Sequence, residues 1–493
     1  MKLFKFSFAI TATLVTAQSV EVSTFAQVVS PASKGASGPT DSPDQPRPTP
    51  TTRPEMKRLL EDMKLRKERI PLPPLSESEK ESNDPRTQGY EGRLGKLFLP
   101  TTNGARGYLN FSGSPKRNPA VPQPTNRPVV EEDLALTLDY GFKTRLFWIA
   151  SRVNNCQYCL GHQESKLLGV GMLEDAIAAL DTDWSKFPVE EQAAFALARR
   201  LTLEPNLLSD EDISACKKHY SDLQVLEIIL SVAGNNAINR WKEGVGVPQS
   251  TSGGNFGAAN ASDQHAHSYL TDTSAPYLTA ISKTVYLSDP LHAVDAAQTV
   301  AVKRPSGSDL ATKLQEASKR PPRLPLVSNE RAKEILGELA PSGAVPNWMR
   351  LLLNFPIAGK RQVASLVTAE TDLQLSPLVR AQMSWVIAQQ NGAWYSLGEA
   401  QNRLKDLGQT NEQIDALSNL EDASGNDKLS PKDRALLIVA KNLAASPVVL
   451  TDRQVDQALK LSSARDVVQT VHYTAMRSMF DRFTEAAALE TDR

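Results

Sequence analysis

Two of the three cysteines of this 493-residue chain lie three positions apart, in the stretch NNCQYCLGHQE at positions 154–164. A histidine, His162, follows Cys159 at the same spacing. Residues three and four positions apart share one face of a helix, so a helix beginning near Asn155 would align Cys156, Cys159 and His162. Free N–H groups and the positive dipole end at such a helix start lower the pKa of a thiol.

This set of side chains predicts thiol redox chemistry. One thiolate can attack a peroxide or a disulfide, and the second thiol can resolve the product into an intramolecular disulfide. His162 can accept or return the proton if it reaches Cys159. Haem attachment is excluded, because it needs a histidine directly after the second cysteine. The candidate catalytic residues are therefore Cys159, Cys156 and His162.

Two other interpretations of the cysteine pair stay open at this point. Cys216 and His219, in the sequence CKKH, could complete a CxxC…CxxH zinc site with Cys156 and Cys159. In an exported protein the pair could instead be a permanent structural disulfide.

Charge and composition exclude some classes of protein. With 55 basic and 56 acidic residues, the chain has no excess charge that indicates nucleic-acid binding or a polybasic membrane surface. The N-terminus MKLFKFSFAITATLVTAQSVEVSTFAQ has a basic start, an apolar stretch and small residues near possible cleavage points. It predicts a signal peptide over residues 1–26 and an exported protein, periplasmic or secreted. No later apolar run is long enough to span a bilayer.

The chain is too long for one hydrophobic core, so we expect more than one domain. Residues 27–68 are rich in Pro, Ser and Thr and predict a disordered leader, with at most a short unpacked helix. From about residue 131 the apolar residues recur at helical spacing, without an alternating strand pattern. The sequence predicts an all-α fold with helical domains at 69–247 and 321–493, joined by a Gly/Ser/Asn-rich segment at 248–320.

The two predicted domains resemble each other. A shift of 237 positions places residues 154–171 over 391–408, with six identities in eighteen positions. A shift of 242 continues the match towards the C-terminus, where Arg240-Trp241 meets Arg482-Phe483, and similar segments begin at Arg69 and Arg323. Self-similarity in a constant order predicts a duplication. In the second copy the cysteines and the histidine are replaced by Ala393, Ser396 and Glu399.

The stretch WIASRVNNCQYCLGH, positions 148–162, resembles the alkyl hydroperoxidase D-like, carboxymuconolactone decarboxylase superfamily. The resemblance covers residues 130–245 directly and 325–490 through the second copy. It implies an all-helical fold that typically forms homo-oligomers and, in the redox branch, a thiol-dependent peroxidase or disulfide reductase with an antioxidant role. It also implies that Cys159 reacts with the peroxide, that Cys156 resolves the product and that His162 joins the proton relay. The implied partners are a hydroperoxide or disulfide substrate and a thiol electron donor, without a cofactor.

The chain departs from this family at two positions. Thr144 stands where the redox branch often has a glutamate, between Lys143 and Arg145, either of which could stabilise a thiolate. Gln163 stands where many members have a histidine. The alternative functions are a non-catalytic assembly or binding protein whose pair is oxidised or binds zinc, and a decarboxylase-like lyase. The decarboxylase branch does not use a CxxC pair.

Overall fold

A computed structural model of the chain describes residues 42–82, 88–100, 107–112, 133–249, 308–420 and 429–491. Over these residues the fold is all-helical and contains no strand, which confirms the predicted all-α class. The predicted signal peptide and most of the predicted 248–320 segment lie outside the described residues. None of the described helices is both long enough and apolar enough to cross a bilayer.

The described residues form nineteen α-helices and four short 3₁₀ segments. The α-helices are α1 Arg53–Asp62, α2 Glu77–Lys80, α3 Tyr90–Phe98, α4 Tyr140–Val153, α5 Gln157–Gly169, α6 Glu174–Thr182, α7 Val189–Leu203, α8 Asp210–Lys217, α9 Asp222–Val245, α10 Ser308–Ala317, α11 Asn329–Leu336, α12 Asn347–Leu352, α13 Pro356–Thr371, α14 Pro377–Asn391, α15 Trp394–Asp406, α16 Asn411–Ala416, α17 Pro431–Ala444, α18 Asp452–Leu461 and α19 Ala464–Ala486.

Several helix starts follow directly from local sequence. Ser209 caps α8: its hydroxyl accepts the N–H of Asp212, and the Asp212 carboxylate accepts the N–H of Ser209. The long helices α9 and α19 begin with the same reciprocal arrangement, at Ser221 and Ser463. These caps satisfy backbone N–H groups that have no partner inside the helix.

The two longest helices, α9 and α19, lie against each other at the centre of the molecule. Helices α4 and α7 pack on α9, while α14 and α17 pack on α19. Both central helices are buried along almost their whole length, so burial of their side chains is the main stabilising term of the fold. Trp241 and Trp385 are fully buried core residues.

The structure differs from the expected disordered leader over residues 42–68. Helix α1 forms there, contacts α5, and buries its apolar residues Met56 and Leu60. Its residues Arg53 and Lys57 are buried as well, because they pair with carboxylates of the first domain. The apolar stripe of α1 is short, and the surrounding Pro-rich sequence concealed it.

Candidate functional site

The candidate site lies at the corner between α4 and α5. Asn155 turns the chain there with a φ of +54°, in the left-handed region that asparagine tolerates better than most residues. Its side-chain amide donates hydrogen bonds to the carbonyl oxygens of Arg47 and Pro48, at 3.1 and 3.2 Å. Gln157 Nε2 also donates to Pro48 O, at 2.9 Å. The segment that precedes α1 therefore covers the start of α5.

The preceding residue, Asn154, ties the corner to the central helix α9. Its Nδ2 donates to the Oδ1 atoms of Asn236 and Asn239, at 2.9 Å each. Its Oδ1 accepts from Arg240 Nη1 at 3.1 Å and from Ser446 Oγ at 2.8 Å. The side chain is fully buried, and these four bonds fix the turn that leads into the cysteine pair.

Cys156 and Cys159 form a disulfide whose Cα atoms are 5.3 Å apart. Cys156 is the N-cap residue of α5, and its Sγ accepts the backbone N–H of Cys159 at 3.4 Å. The pair is almost completely buried, with 0% of Cys156 and 2% of Cys159 exposed. A thiolate formed here on reduction would lie at the positive end of α5, as the sequence predicted from the helix start.

His162 lies one helical turn after Cys159, and its ring stacks on Tyr158 with ring centroids 6.1 Å apart. Burial lowers the pKa of His162 well below its usual value, and the charges of Lys166 and Lys242 lower it further. The imidazole is therefore neutral at pH 7, with one unprotonated ring nitrogen. The sequence predicted that Cys156, Cys159 and His162 lie together on the first turns of one helix, and the structure places them there.

Two lysines and a glutamate near His162 were missed by sequence reasoning. Burial lowers the pKa of Lys166 to about 8, with a further contribution from Lys242. Lys242 Nζ lies 4.2 Å from the centre of the Tyr158 ring and forms an ion pair with Glu91. The spacing of Lys166 from His162 is visible in the sequence, but Glu91 and Lys242 come from distant segments that only the fold brings together.

The residues expected to stabilise a thiolate from α4 have other partners. Lys143 pairs with Glu227, and Arg145 pairs with Glu191. Thr144 is buried, and its hydroxyl donates to a backbone carbonyl one turn earlier, at 2.8 Å. Both cations are paired with carboxylates, so these contacts do not support a role for Lys143 or Arg145 in stabilising a cysteine thiolate.

The four candidate zinc ligands do not meet. Cys216 lies in the main hydrophobic core, where its Sγ donates to Ala193 O at 3.3 Å, and burial raises the pKa of its thiol to about 12. Cys156 and Cys159 form a separate apolar cluster with Phe147. Within the described ranges, no three His, Cys, Asp or Glu side chains lie close enough to hold a metal ion. The structure therefore does not support a zinc site that includes Cys216 and His219.

Helix α5 also carries a buried carboxylate, Glu164, that sequence reasoning missed. Arg53 donates to its two oxygens at 2.6 and 3.1 Å, and Lys57 donates at 2.8 Å. Burial alone would raise the pKa of Glu164, but the charges of Arg53 and Lys57 outweigh it and lower the pKa to about 2. This network, which also includes Glu174, holds α1 against the helix that bears the cysteines.

A second helix corner lies between α14 and α15. Gly392 turns the chain there with a φ of +65°, and Ala393 is the N-cap of α15, with φ −83° and ψ 99°. The corresponding dihedrals of Cys156 are −80° and 88°. Ser396 is fully buried one turn later, and Glu399 pairs with Arg477 at 3.0 Å. These residues lie 237 positions after their counterparts in the first corner.

Two buried arginines cross between the halves of the molecule. Arg240 Nη2 donates to Ala444 O, and Arg482 Nη2 donates to Thr202 O, both at 2.9 Å. The two side chains also share Ser446 Oγ, at 2.8 and 3.1 Å. Arg240 and Arg482 are 242 positions apart, and so are the residues whose carbonyl groups accept from them, Thr202 and Ala444. The two contacts therefore form a reciprocal pair.

A second reciprocal pair lies nearer the surface. Arg69 Nε donates to Asp452 Oδ1, and Arg323 Nε donates to Asp210 Oδ1, both at 2.6 Å. The acceptors are again 242 positions apart. Helix α1 contacts α5, and α10 contacts α15 in the same way.

The chain matches no protein-family model, and no curated protein matches it.

Proposed function

We propose that the chain is a thiol-dependent peroxidase or disulfide reductase whose redox centre is the Cys156–Cys159 pair. The observation that carries the proposal is a disulfide at the N-cap of a helix, one turn from a neutral histidine. The reaction needs a nucleophilic thiolate and a group that transfers the proton. The start of α5 favours thiolate over thiol, and the imidazole of His162 would transfer the proton.

In the peroxidase cycle the Cys159 thiolate attacks the terminal oxygen of a hydroperoxide. The O–O bond breaks, Cys159 becomes a sulfenic acid, and the leaving alkoxide takes up a proton and departs as an alcohol. The Cys156 thiol then attacks the sulfenic sulfur, forms the disulfide and releases water. A dithiol donor reduces the disulfide and is itself oxidised to a disulfide. His162 accepts the thiol proton and returns it to a leaving oxygen.

We further propose that the chain is a tandem duplication in which the second copy kept the fold and lost the chemistry. The reciprocal arginine contacts and the matched corner dihedrals support this proposal. The two copies pack through α9 and α19, which would replace a contact between separate subunits in the resembling family. Because α1 and α10 make corresponding contacts, each repeat would begin with these helices, ahead of the predicted boundaries at 69 and 321. Export through residues 1–26 is part of the same proposal.

A structural disulfide in a non-catalytic assembly protein is the second candidate. The almost complete burial of both cysteines favours it, because a dithiol donor cannot reach the sulfurs without a local movement of the protein.

Turnover of cumene hydroperoxide with dithiothreitol distinguishes the two candidates. We expect the wild-type chain to consume hydroperoxide. The Cys159→Ser variant should turn over at least about 100-fold more slowly. The matched control Cys216→Ala should keep the wild-type rate. Turnover that survives in Cys159→Ser would contradict the role of that thiol. A wild-type disulfide that dithiothreitol leaves intact in the folded protein would favour the structural candidate.

A further inference from the structure

Two buried amide side chains, Gln163 and Asn235, have polar atoms without hydrogen-bond partners, although Asn235 Oδ1 accepts from Ser112 Oγ at 3.5 Å. Gln163 and Asn235 are each only 1% exposed. Within the described part of the chain, neither Nε2 nor Oε1 of Gln163 has a hydrogen-bond partner, and neither does Nδ2 of Asn235. Each unpaired buried polar group costs about 1–3 kcal/mol, so buried polar side chains are nearly always paired. Three unpaired atoms on two helices that contact each other need an explanation.

Both amides belong to helices that contribute to the surroundings of the disulfide. Gln163 follows Cys159 by four positions on α5, a spacing that puts the two side chains on the same face, one turn apart. Asn235 precedes Ile238 by one turn on α9, and Ile238 packs against the apolar cluster of the disulfide. Helices α5 and α9 are in contact.

The second corner supports this placement. Arg477, which matches Asn235 under the 242 shift, reaches Glu399, which matches His162 under the 237 shift. The position of Arg477 on α19 therefore faces the second turn of α15, and Asn235 occupies the matching position of α9. The residue that matches Gln163 is Ala400, so the second corner has neither of the two amides.

We propose that Gln163 and Asn235 form the subsite that binds the peroxide oxygens of the hydroperoxide beside Cys159. A hydroperoxide group, R–O–OH, offers two acceptor oxygens and one O–H donor. The unpaired atoms offer the complement: donors on Gln163 Nε2 and Asn235 Nδ2, and an acceptor on Gln163 Oε1. This inference rests on the proposed peroxidase function and names the groups that recognise its substrate.

The same atoms favour the reaction itself. When the thiolate of Cys159 attacks the terminal oxygen, the O–O bond breaks and negative charge develops on the leaving oxygen. A fixed N–H donor in a buried site stabilises that charge far more than it would in water. The amides are neutral in every protonation state of the cycle, so they do not compete with His162 for the proton.

The test replaces Gln163 by methionine, which keeps the length of the side chain and removes both polar ends. The measurements are the rate constant for oxidation of the reduced chain by cumene hydroperoxide, the rate constant for reduction of the disulfide by dithiothreitol, and the urea midpoint of unfolding. Gln163→Met is expected to slow oxidation by about 10- to 100-fold. It should leave the reduction rate unchanged and leave the urea midpoint unchanged or raised, because unpaired buried groups are removed. Asn235→Leu provides a second, independent loss of oxidation rate.

Gln469→Met is the matched control. Gln469 is a buried glutamine of α19 whose two ends are both bonded, to Gln374 N at 2.8 Å and to Phe98 O at 2.9 Å. This variant should lower the urea midpoint and leave the oxidation rate unchanged. An oxidation rate of Gln163→Met equal to wild type overturns the subsite while the proposed function stands. A urea midpoint of Gln163→Met that falls as far as that of Gln469→Met also overturns it. A wild-type dithiol that does not react with the hydroperoxide overturns the function and the subsite together.

Discussion

The corners α4–α5 and α14–α15 follow nearly the same backbone path. Asn155 and Gly392 both turn the chain through the left-handed region, at φ +54° and +65°. The N-cap residues that follow, Cys156 and Ala393, differ by only a few degrees in φ and by about ten in ψ. A corner with alanine and serine thus folds like a corner with two cysteines, so the helix start does not depend on the disulfide.

The surroundings of the two corners differ much more than their backbones. On the helices around the disulfide lie neutral amides with unpaired polar atoms, a neutral histidine and a lysine of lowered pKa. At the second corner Arg477 pairs with Glu399 and lies near Glu370, which also pairs with Arg403. Burial raises the pKa of Glu370, but the charges of Arg477 and Arg403 outweigh it and lower the pKa overall. Ion pairs line the second corner, whereas neutral amide and imidazole side chains lie near the first.

The largest expected effect comes from breaking one of the crossed arginines. Arg240→Met leaves Ala444 O and Ala445 O without their side-chain donor, and each buried unpaired carbonyl costs about 1–3 kcal/mol. We expect a loss of about 3–6 kcal/mol in the free energy of unfolding, with the cavity adding to the lost bonds. Urea denaturation followed by circular dichroism measures it.

Arg482→Met is the matched variant for this experiment. Arg482 donates to one carbonyl across the molecule, Thr202 O, so its loss should cost less than the loss of Arg240. A larger effect of Arg482→Met than of Arg240→Met would contradict the ranking drawn from these contacts.

Glu164→Gln should have the next largest effect. The change removes the buried carboxylate between Arg53 and Lys57 and leaves both cations with Glu174 alone. Breaking a buried ion pair from one side costs about 3–5 kcal/mol. The matched control is Gln401→Ala, at the corresponding position of α15, where we expect a change within about 0.5 kcal/mol. Similar losses in both variants would show that the charge network is not specific to the first corner.

The same carboxylate predicts an acid-sensitive contribution to stability. The pKa of Glu164 is lowered from 4.5 to about 2, so its contribution is fully present above about pH 4.5 and is lost as the pH falls towards 2. The expected contribution is about 3 kcal/mol. Urea midpoints measured between pH 2 and 6 should fall less steeply for Glu164→Gln than for wild type. Equal slopes would place the acid sensitivity on other groups.

The smallest effect is expected from giving the second corner its own cysteines. Ala393→Cys combined with Ser396→Cys should form a disulfide on air oxidation, because the backbone already matches that of the first corner. Closing so short a loop changes stability by only about 1–2 kcal/mol. Thiol counting by mass spectrometry after alkylation measures the bond, with Ser396→Cys alone as the control. Two free thiols at positions 393 and 396 would show that the corners differ in geometry as well as in chemistry.

The sequence predicted the features of this site that are determined by residues close together in the chain. Helical periodicity and capping residues indicated the all-α class, and the spacing of Cys156, Cys159 and His162 indicated one helix start. Each of these features depends on residues close together in the chain.

The parts that failed depend on tertiary partners. Lys143 and Arg145 flank the position of an expected relay group, yet nothing local to them reveals Glu227 or Glu191 as their partners. The pairing of Arg53 with Glu164 spans 111 positions, so α1 could be read only as a polar segment. The missing partners of Gln163 are equally invisible in a sequence, because they follow from what surrounds the side chain.

The crossed arginines have a consequence for stoichiometry. Each half supplies carbonyl groups that the arginine of the other half requires, which is the relation between the subunits of an obligate dimer. A dimer of identical chains carries its reactive groups twice. In the proposed duplication one polypeptide encodes both partners, so the ratio is fixed at one sulfur-bearing half to one sulfur-free half, whatever the protein concentration.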